Sequence, residues 1–160
     1  GTVNLIESCT DDQVVFYGST GSNYGAVTDI CTEETPLHPL SLYGETKTKA
    51  EQLLMKRDNT IAYRFATAFG LSPRMRFDLT INEFTRELYI NNKIIVYDEN
   101  TWRPYCHVKD FSNLIKKVIR TNVEKINFQV FNAGSERNNA TKLDIVNYLK
   151  PFFLLFQNLL

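Results

Sequence analysis

Residues 41–54 read SLYGETKTKAEQLL, and they lie between two apolar runs, QVVFYG at 13–18 and TIAYRFAT at 60–67. Ser41 is of a type that caps helices, and Leu42, Ala50, Leu53 and Leu54 supply an apolar stripe for a helix running to about Arg57. The flanking runs are short and rich in β-branched and aromatic residues, as strands buried on both faces are. Residues 2–9 place Val3, Leu5 and Ile6 at helical spacing. The order helix, strand, helix, strand predicts an α/β fold with a parallel sheet covered by helices.

Further along, the pattern predicts a helix over about 79–91, a strand KIIVY at 93–97, a turn DENT, a helix over about 108–121 and a strand NFQVFNAG at 127–134. A last helix opens on TKLD at 141–144, which has the form of a capping box. The apolar tail PFFLLFQNLL at 151–160 reads as core packing, the alternative being an exposed patch or a truncated helix, and falls short of the ~20 residues that span a bilayer.

Composition narrows the function classes. The chain has 160 residues, and its 43% hydrophobic and 22% charged content is that of a soluble globular domain. Eighteen basic residues balance eighteen acidic ones, so no overall field attracts nucleic acid or an anionic membrane. The run KKVIR at 116–120 reads as a solvated helix face. Cys9, Cys31 and Cys106 are odd in number and widely spaced, which argues against a disulfide framework and a zinc site and makes a reducing cytoplasm the simplest setting. With only His38 and His107, no metal site is expected.

Three Tyr-x-x-x-Lys pairs occur: Tyr43–Lys47, Tyr89–Lys93 and Tyr105–Lys109. Eight tyrosines and ten lysines in this length give about half a match by chance, so context has to choose. Ligands of open parallel sheets bind beyond the carboxyl ends of the strands, where Ser19 and Thr20 follow the first apolar run. The 23-residue segment Ser19–Ser41 is longer than a passive connection and ends at the helix carrying Tyr43 and Lys47 on one face. A free phenol titrates near pH ~10, so a tyrosine serving as a base near neutrality needs an adjacent positive charge. Lys47 provides one, and a hydroxyl at Thr20 or Ser19 can hold a substrate alcohol. Tyr89 lies in the apolar pattern of its helix, and Tyr105 follows no strand end bearing a hydroxyl.

With these residues in place, the chain resembles the extended short-chain dehydrogenase/reductases, in particular the NAD-dependent sugar-nucleotide epimerase/dehydratase family. GTVNLIESC, VVFYGSTGSNYG, ETPLHPLSLYGETKTKAEQLL, YRFATAFGLSPRMRFDL and WRPYCHVKDFSNLI fall in family order, from residue 1 to about 135. The resemblance implies the C-terminal half of a Rossmann-like, doubly wound parallel sheet at 1–69 and 103–133. It also implies part of a small substrate-binding region at 70–102 and 134–160. Carried over by position, the catalytic set is Thr20, Tyr43 and Lys47. Tyr43, Lys47, Phe65 and Ala66 would face the cofactor, NAD or NADP, while Ser19, Thr20, Thr67, Asn82 and Arg103 would face a nucleotide-sugar substrate. The resemblance leaves room for a homodimer of the complete enzyme.

Two departures matter. The family's Gly-x-x-Gly-x-x-Gly turn, which receives the cofactor pyrophosphate, is absent from the sequence, and residue 1 already falls in a helix from the middle of the nucleotide-binding domain. The expectation is therefore a partial chain of a parent enzyme, the alternative being an inactive fragment or binding module that cannot hold the cofactor. Second, a TDEVYG pattern of family dehydratases is here TGSNYG, with Gly21 and Ser22 where Asp and Glu stand. Neither is an acid or base near neutrality, so epimerisation or reduction is expected in preference to 4,6-dehydration.

Overall fold

The computed structural model describes residues 1–157, and side chains as far as Phe153. It divides into two compact units, residues 1–66 with 113–133 and residues 67–112 with 134 onward.

In the first unit, α1 (Thr2–Ser8) precedes β1 (Val15–Thr20), α2 (Leu42–Leu54) and β2 (Thr60–Phe65). With β5 (Gln129–Ala133), β1 and β2 form a parallel sheet in the order β1-β2-β5. Side chains alternate across a strand, so the register sorts them into two faces. One face carries Phe16, Tyr63, Phe65 and Phe131, with Phe16–Tyr63 and Tyr63–Phe131 stacked at centroid distances of 5.0 and 5.2 Å. Leu114 and Val118, on the later turns of α4 (Val108–Arg120), pack against this aromatic core, while Lys116, Lys117 and Arg120 are exposed as expected. The other face carries Ser19, Arg64 and Asn132 in one row, because Ser19 pairs with Arg64 and Arg64 with Asn132.

The helix 41–54 forms as expected, but not with the expected buried stripe. Leu54 is 1% exposed, whereas Leu42 is 77% exposed and Leu53 is also outward. The buried face is Gly44, Thr48, Glu51 and Leu54. Polar residues win there because Glu51 answers a charge on β2 facing it.

In the second unit, β3 (Thr67–Phe69) runs parallel to β4 (Trp102–His107), and β4 pairs antiparallel with β6 (Asn139–Thr141). Phe84 on α3 (Thr80–Asn91), Tyr105, Ala140 and, on α5 (Lys142–Gln157), Ile145 and Val146 form the core. These pairings place 67–69 and 103–112 in the second unit, although the sequence reading groups them with the first. The capping box forms: the Thr141 amide and hydroxyl donate to the Asp144 carboxylate, and the Asp144 amide donates to Thr141 Oγ1.

KIIVY is not a strand. Ile94 and Val96 pack on the core while Ile95 and Tyr97 face outward, which is strand-like alternation without a partner strand. The start of α5 satisfies this region's carbonyls instead: Lys142 Nζ donates to Tyr97 O and the Leu143 amide to Glu99 O. Of the apolar tail, Phe152 is exposed, as the alternative of an exposed patch has it and not as core packing would, and 158–160 lie outside the described residues. Among the described residues no helix is long and apolar enough to cross a membrane.

Gly70 ends β3 at φ +110°, and a Cβ built there would lie 2.3 Å from His107 Nε2. Both the backbone and the ring forbid a side chain. Gly70→Ala is expected to cost about 1–3 kcal/mol, read as a lower urea midpoint at an unchanged slope. An unchanged midpoint would show that the imidazole yields freely.

Candidate active site

α2 starts where its sequence says it should. Ser41 Oγ accepts a hydrogen bond from the Gly44 amide at 3.1 Å. A Cβ on Gly44 would stand 2.9 Å from Pro39 Cβ and 3.2 Å from Ser22 O, so the first turn of α2 lies directly on the turn that follows β1. Only glycine permits that approach. It brings the Tyr43–Lys47 face to the carboxyl end of the parallel strands.

Tyr43 is 57% exposed, and Lys47 one turn later is half-buried. The Lys47 ammonium donates to the carbonyl of Gly18 and lies 4.4 Å over the Tyr17 ring, whose hydroxyl donates to Lys47 O at 3.3 Å. Burial lowers the Lys47 pKa below the ordinary lysine value, with the Glu51 charge pulling it partly back. The Tyr17 phenol is raised, first by burial and then by the negative fields of Glu51 and Tyr43.

Thr20 is buried at the end of β1 and caps the short helical turn Gly21–Tyr24, its hydroxyl accepting from the Ser22 amide at 3.2 Å. An accepting hydroxyl keeps its own proton to offer. Ser19 is also buried, its oxygen accepting from Asn23 Nδ2 at 3.0 Å on the face toward α2. Phe65 and Ala66 follow at the carboxyl end of β2, where the Ala66 amide donates to Ala133 O.

The remaining residues singled out by sequence belong to the second unit. Thr67 opens β3, in register with Tyr105. Asn82 is buried, and both ends of its amide are used locally: Oδ1 accepts from the Gly70 amide and Nδ2 donates to Arg76 O, so it braces the 70–76 loop. Arg103 is exposed on β4, in register with Ala140. The other two tyrosines separate cleanly: Tyr89 is 75% exposed on α3, and Tyr105 is 2% exposed in the core.

Sequence reasoning missed a polar network behind the site. Glu51 and Arg64, 3% and 6% exposed, form an ion pair at 2.7 Å. Arg64 Nε and Nη2 both donate to the Glu51 carboxylate, and Asn23 Nδ2 donates to it at 3.2 Å. Arg64 Nη1 donates to the Tyr24 hydroxyl and to Glu33 O; Tyr24 donates in turn to Asn132 Oδ1 at 2.6 Å. The Asn132 amide donates to the Glu33 carboxylate, and Nδ2 donates to Cys31 O. Burial works to lower the Arg64 pKa, but its bonds to Glu51 and Tyr24 outweigh that and hold it above the usual value. One signal was in the sequence: an arginine inside the apolar run TIAYRFAT has to find a buried partner.

The model of the NAD-dependent epimerase/dehydratase family matches residues 1–134. The chain belongs to that family. A Bacillus subtilis protein described as an uncharacterized UDP-glucose epimerase is 28% identical over 114 residues, 66% of this chain and 35% of that protein. UDP-glucuronic acid 4-epimerase from Bacillus cereus, solved with UDP-glucuronic acid and NAD, superposes with a TM-score of 0.80 at 25% identity, covering 94% of this chain and 49% of its own. The dTDP-glucose 4,6-dehydratase of Bacillus anthracis, solved with NAD, gives a TM-score of 0.80 at 24% identity over 94% of this chain and 50% of its own. The epimerase/dehydratase chain thus spans about half the length of these solved structures and about a third of the curated relative. Their likeness bears out the Rossmann-like α/β class and the parallel sheet.

Proposed function

We propose that the native gene product is an NAD(P)-dependent epimerase, or a related oxidoreductase, that acts on a nucleotide sugar through a transient 4-keto form, with Thr20, Tyr43 and Lys47 as its reacting set. The observation that supports this most directly is the pairing of an exposed Tyr43 with a Lys47 ammonium held against the carboxyl end of β1. The family is NAD-dependent, and the residues here suit the nicotinamide end: Tyr43 and Lys47 on α2, Phe65 at the end of β2 and Ala66 just after it. The bound nicotinamide would supply the hydride acceptor.

The chain's own residues handle the proton. Thr20 offers its hydroxyl hydrogen to the sugar alcohol, and Tyr43 takes the alcohol proton as the carbon–hydrogen bond breaks. Lys47, one turn further along α2, is the cation of the set. Tyr43 would give its proton back to the carbonyl oxygen as the keto carbon is reduced; reduction on the opposite face would invert the centre, and reduction on the same face would restore the substrate. We assign nucleotide-sugar contacts to Ser19, Thr67, Asn82 and Arg103; Ser19 Oγ is held by the Asn23 side chain, and Asn82 braces the backbone of the 70–76 loop.

Dehydration needs a further acid and base beside the tyrosine, and Gly21 and Ser22 occupy the places where TDEVYG supplies Asp and Glu. The test is to incubate the native gene product with NAD, and separately with NADH or NADPH as the reductant, and a panel of UDP- and dTDP-sugars, following products by NMR. The expected result is an epimerised or reduced sugar without a 4-keto-6-deoxy product. Steady accumulation of that product would overturn the assignment, and no turnover of any nucleotide sugar would overturn the wider reading.

A further inference from the structure

Replacing a buried ion pair with well-packed apolar residues is often neutral for stability or better, so Glu51 and Arg64 are not explained by stability alone. What an apolar pair cannot do is orient a neighbouring amide. Glu51 is acceptor-only, and its oxygens already face Arg64 Nε and Nη2. Asn23, with no exposed surface, must therefore turn Nδ2 and not its carbonyl oxygen toward the carboxylate. The same nitrogen donates to Ser19 Oγ.

The polarity of the whole line is thereby set, from guanidinium to carboxylate to amide to the hydroxyl of Ser19. Thr20 is the next residue, and its own hydroxyl is oriented by the Ser22 amide in the turn that Asn23 belongs to. At the other end, Glu51 lies one helical turn beyond Lys47 and two beyond Tyr43, at the spacing that keeps all three along one side of α2. A single carboxylate thus ties β2 and the turn after β1 to the helix that bears the tyrosine and lysine.

We propose that Asn23, Glu51 and Arg64 are positioning residues that fix the Thr20 hydroxyl relative to Tyr43 and Lys47; this rests on the functional reading of those three. Arg64 extends the same clamp to the long loop, since Nη1 holds Glu33 O and the Tyr24 hydroxyl. Asn23 is the most informative member, because its removal leaves the ion pair intact.

The experiment compares the native gene product with Asn23→Val and with the double variant Glu51→Leu/Arg64→Met, in which apolar atoms replace the pair. Melting temperature reports the fold, and hydrogen exchange at the Ser22 amide reports the turn. Steady-state kinetics on the nucleotide sugar that is turned over reports the alignment. Both variants are expected to melt near the wild type, to exchange the Ser22 amide about 10-fold faster, and to lose roughly 10- to 100-fold in kcat at a similar KM.

If the double variant does not fold, Asn23→Val decides alone, since TDEVYG carries valine at this place. Wild-type exchange and wild-type kcat in a folded variant would reduce the network to packing and overturn the proposal. Absence of turnover in the wild type sinks the functional reading instead, and the exchange comparison still decides whether the clamp exists: faster exchange supports it, unchanged exchange overturns it.

Discussion

Tyr43→Phe is expected to lower turnover of the native gene product by about 10³-fold while leaving the nicotinamide cofactor bound. The substitution removes one oxygen from a side chain that is 57% exposed, so little packing is lost and the fold should survive. What disappears is the group that exchanges the alcohol proton, while Lys47 keeps its place against Gly18 O and the Tyr17 ring. The matched controls are Tyr89→Phe and Tyr105→Phe, which alter the other two Tyr-x-x-x-Lys pairs and should leave turnover near the wild-type value. Tyr105 lies in the core of the second unit, and Tyr89 is exposed on α3. Steady-state kinetics with a parallel cofactor titration measures both effects. A Tyr43→Phe protein that keeps most of its turnover would remove Tyr43 from the mechanism and reopen the choice among the pairs.

Breaking the buried pair from one side should produce the largest loss of stability. Glu51→Ala leaves the Arg64 guanidinium 6% exposed without its carboxylate, and Asn23 loses an acceptor as well. Removing one partner of a buried pair typically costs about 3–5 kcal/mol, because the remaining charge is stranded in a poorly solvating interior. Arg64→Ala should cost a similar amount and also release Glu33 O and the Tyr24 hydroxyl. Urea denaturation followed by circular dichroism gives the value. A loss below about 1 kcal/mol would mean that the pair behaves as a solvated surface bridge, contrary to its burial.

The parts of this molecule that could be read from sequence are those governed by neighbours in the chain. Ser41 caps α2 through Gly44, three residues away, and Thr141 and Asp144 close their capping box over the same distance. The Tyr43–Lys47 pair was legible for the same reason, since one helical turn fixes which residues share a face. The strands β1, β2 and β5 announced themselves by short runs rich in β-branched and aromatic residues. β4 did not: WRPYCH contains a proline and two basic-type residues and is ordered by pairing with β3 and β6, far away in sequence. KIIVY failed in the opposite sense, having the composition of a strand but no strand to join.

The polar network was hidden for a related reason. Nothing in the residues next to Glu51 marks it as buried, and only the fold brings Arg64 to it and Asn132 to Tyr24. The expected stripe of Leu42 and Leu53 shows the cost of that blindness: helix periodicity can name an apolar face, but it cannot say that the opposing sheet presents a charge.

The row Ser19–Arg64–Asn132 also bears on how the sheet finds its alignment while the protein folds. Parallel neighbours rich in Phe, Tyr, Ile and Val offer many near-equivalent ways to zip together. Shifting β2 by a single residue would swing Arg64 into the stack of Phe16, Tyr63 and Phe131 and turn a ring toward the Glu51 carboxylate. Such a misaligned product would bury two unmatched charges at once. The arginine inside an otherwise greasy strand therefore acts as a proofreader, making the wrong zipper far more costly than the right one and discouraging the aggregates to which slipped strands lead.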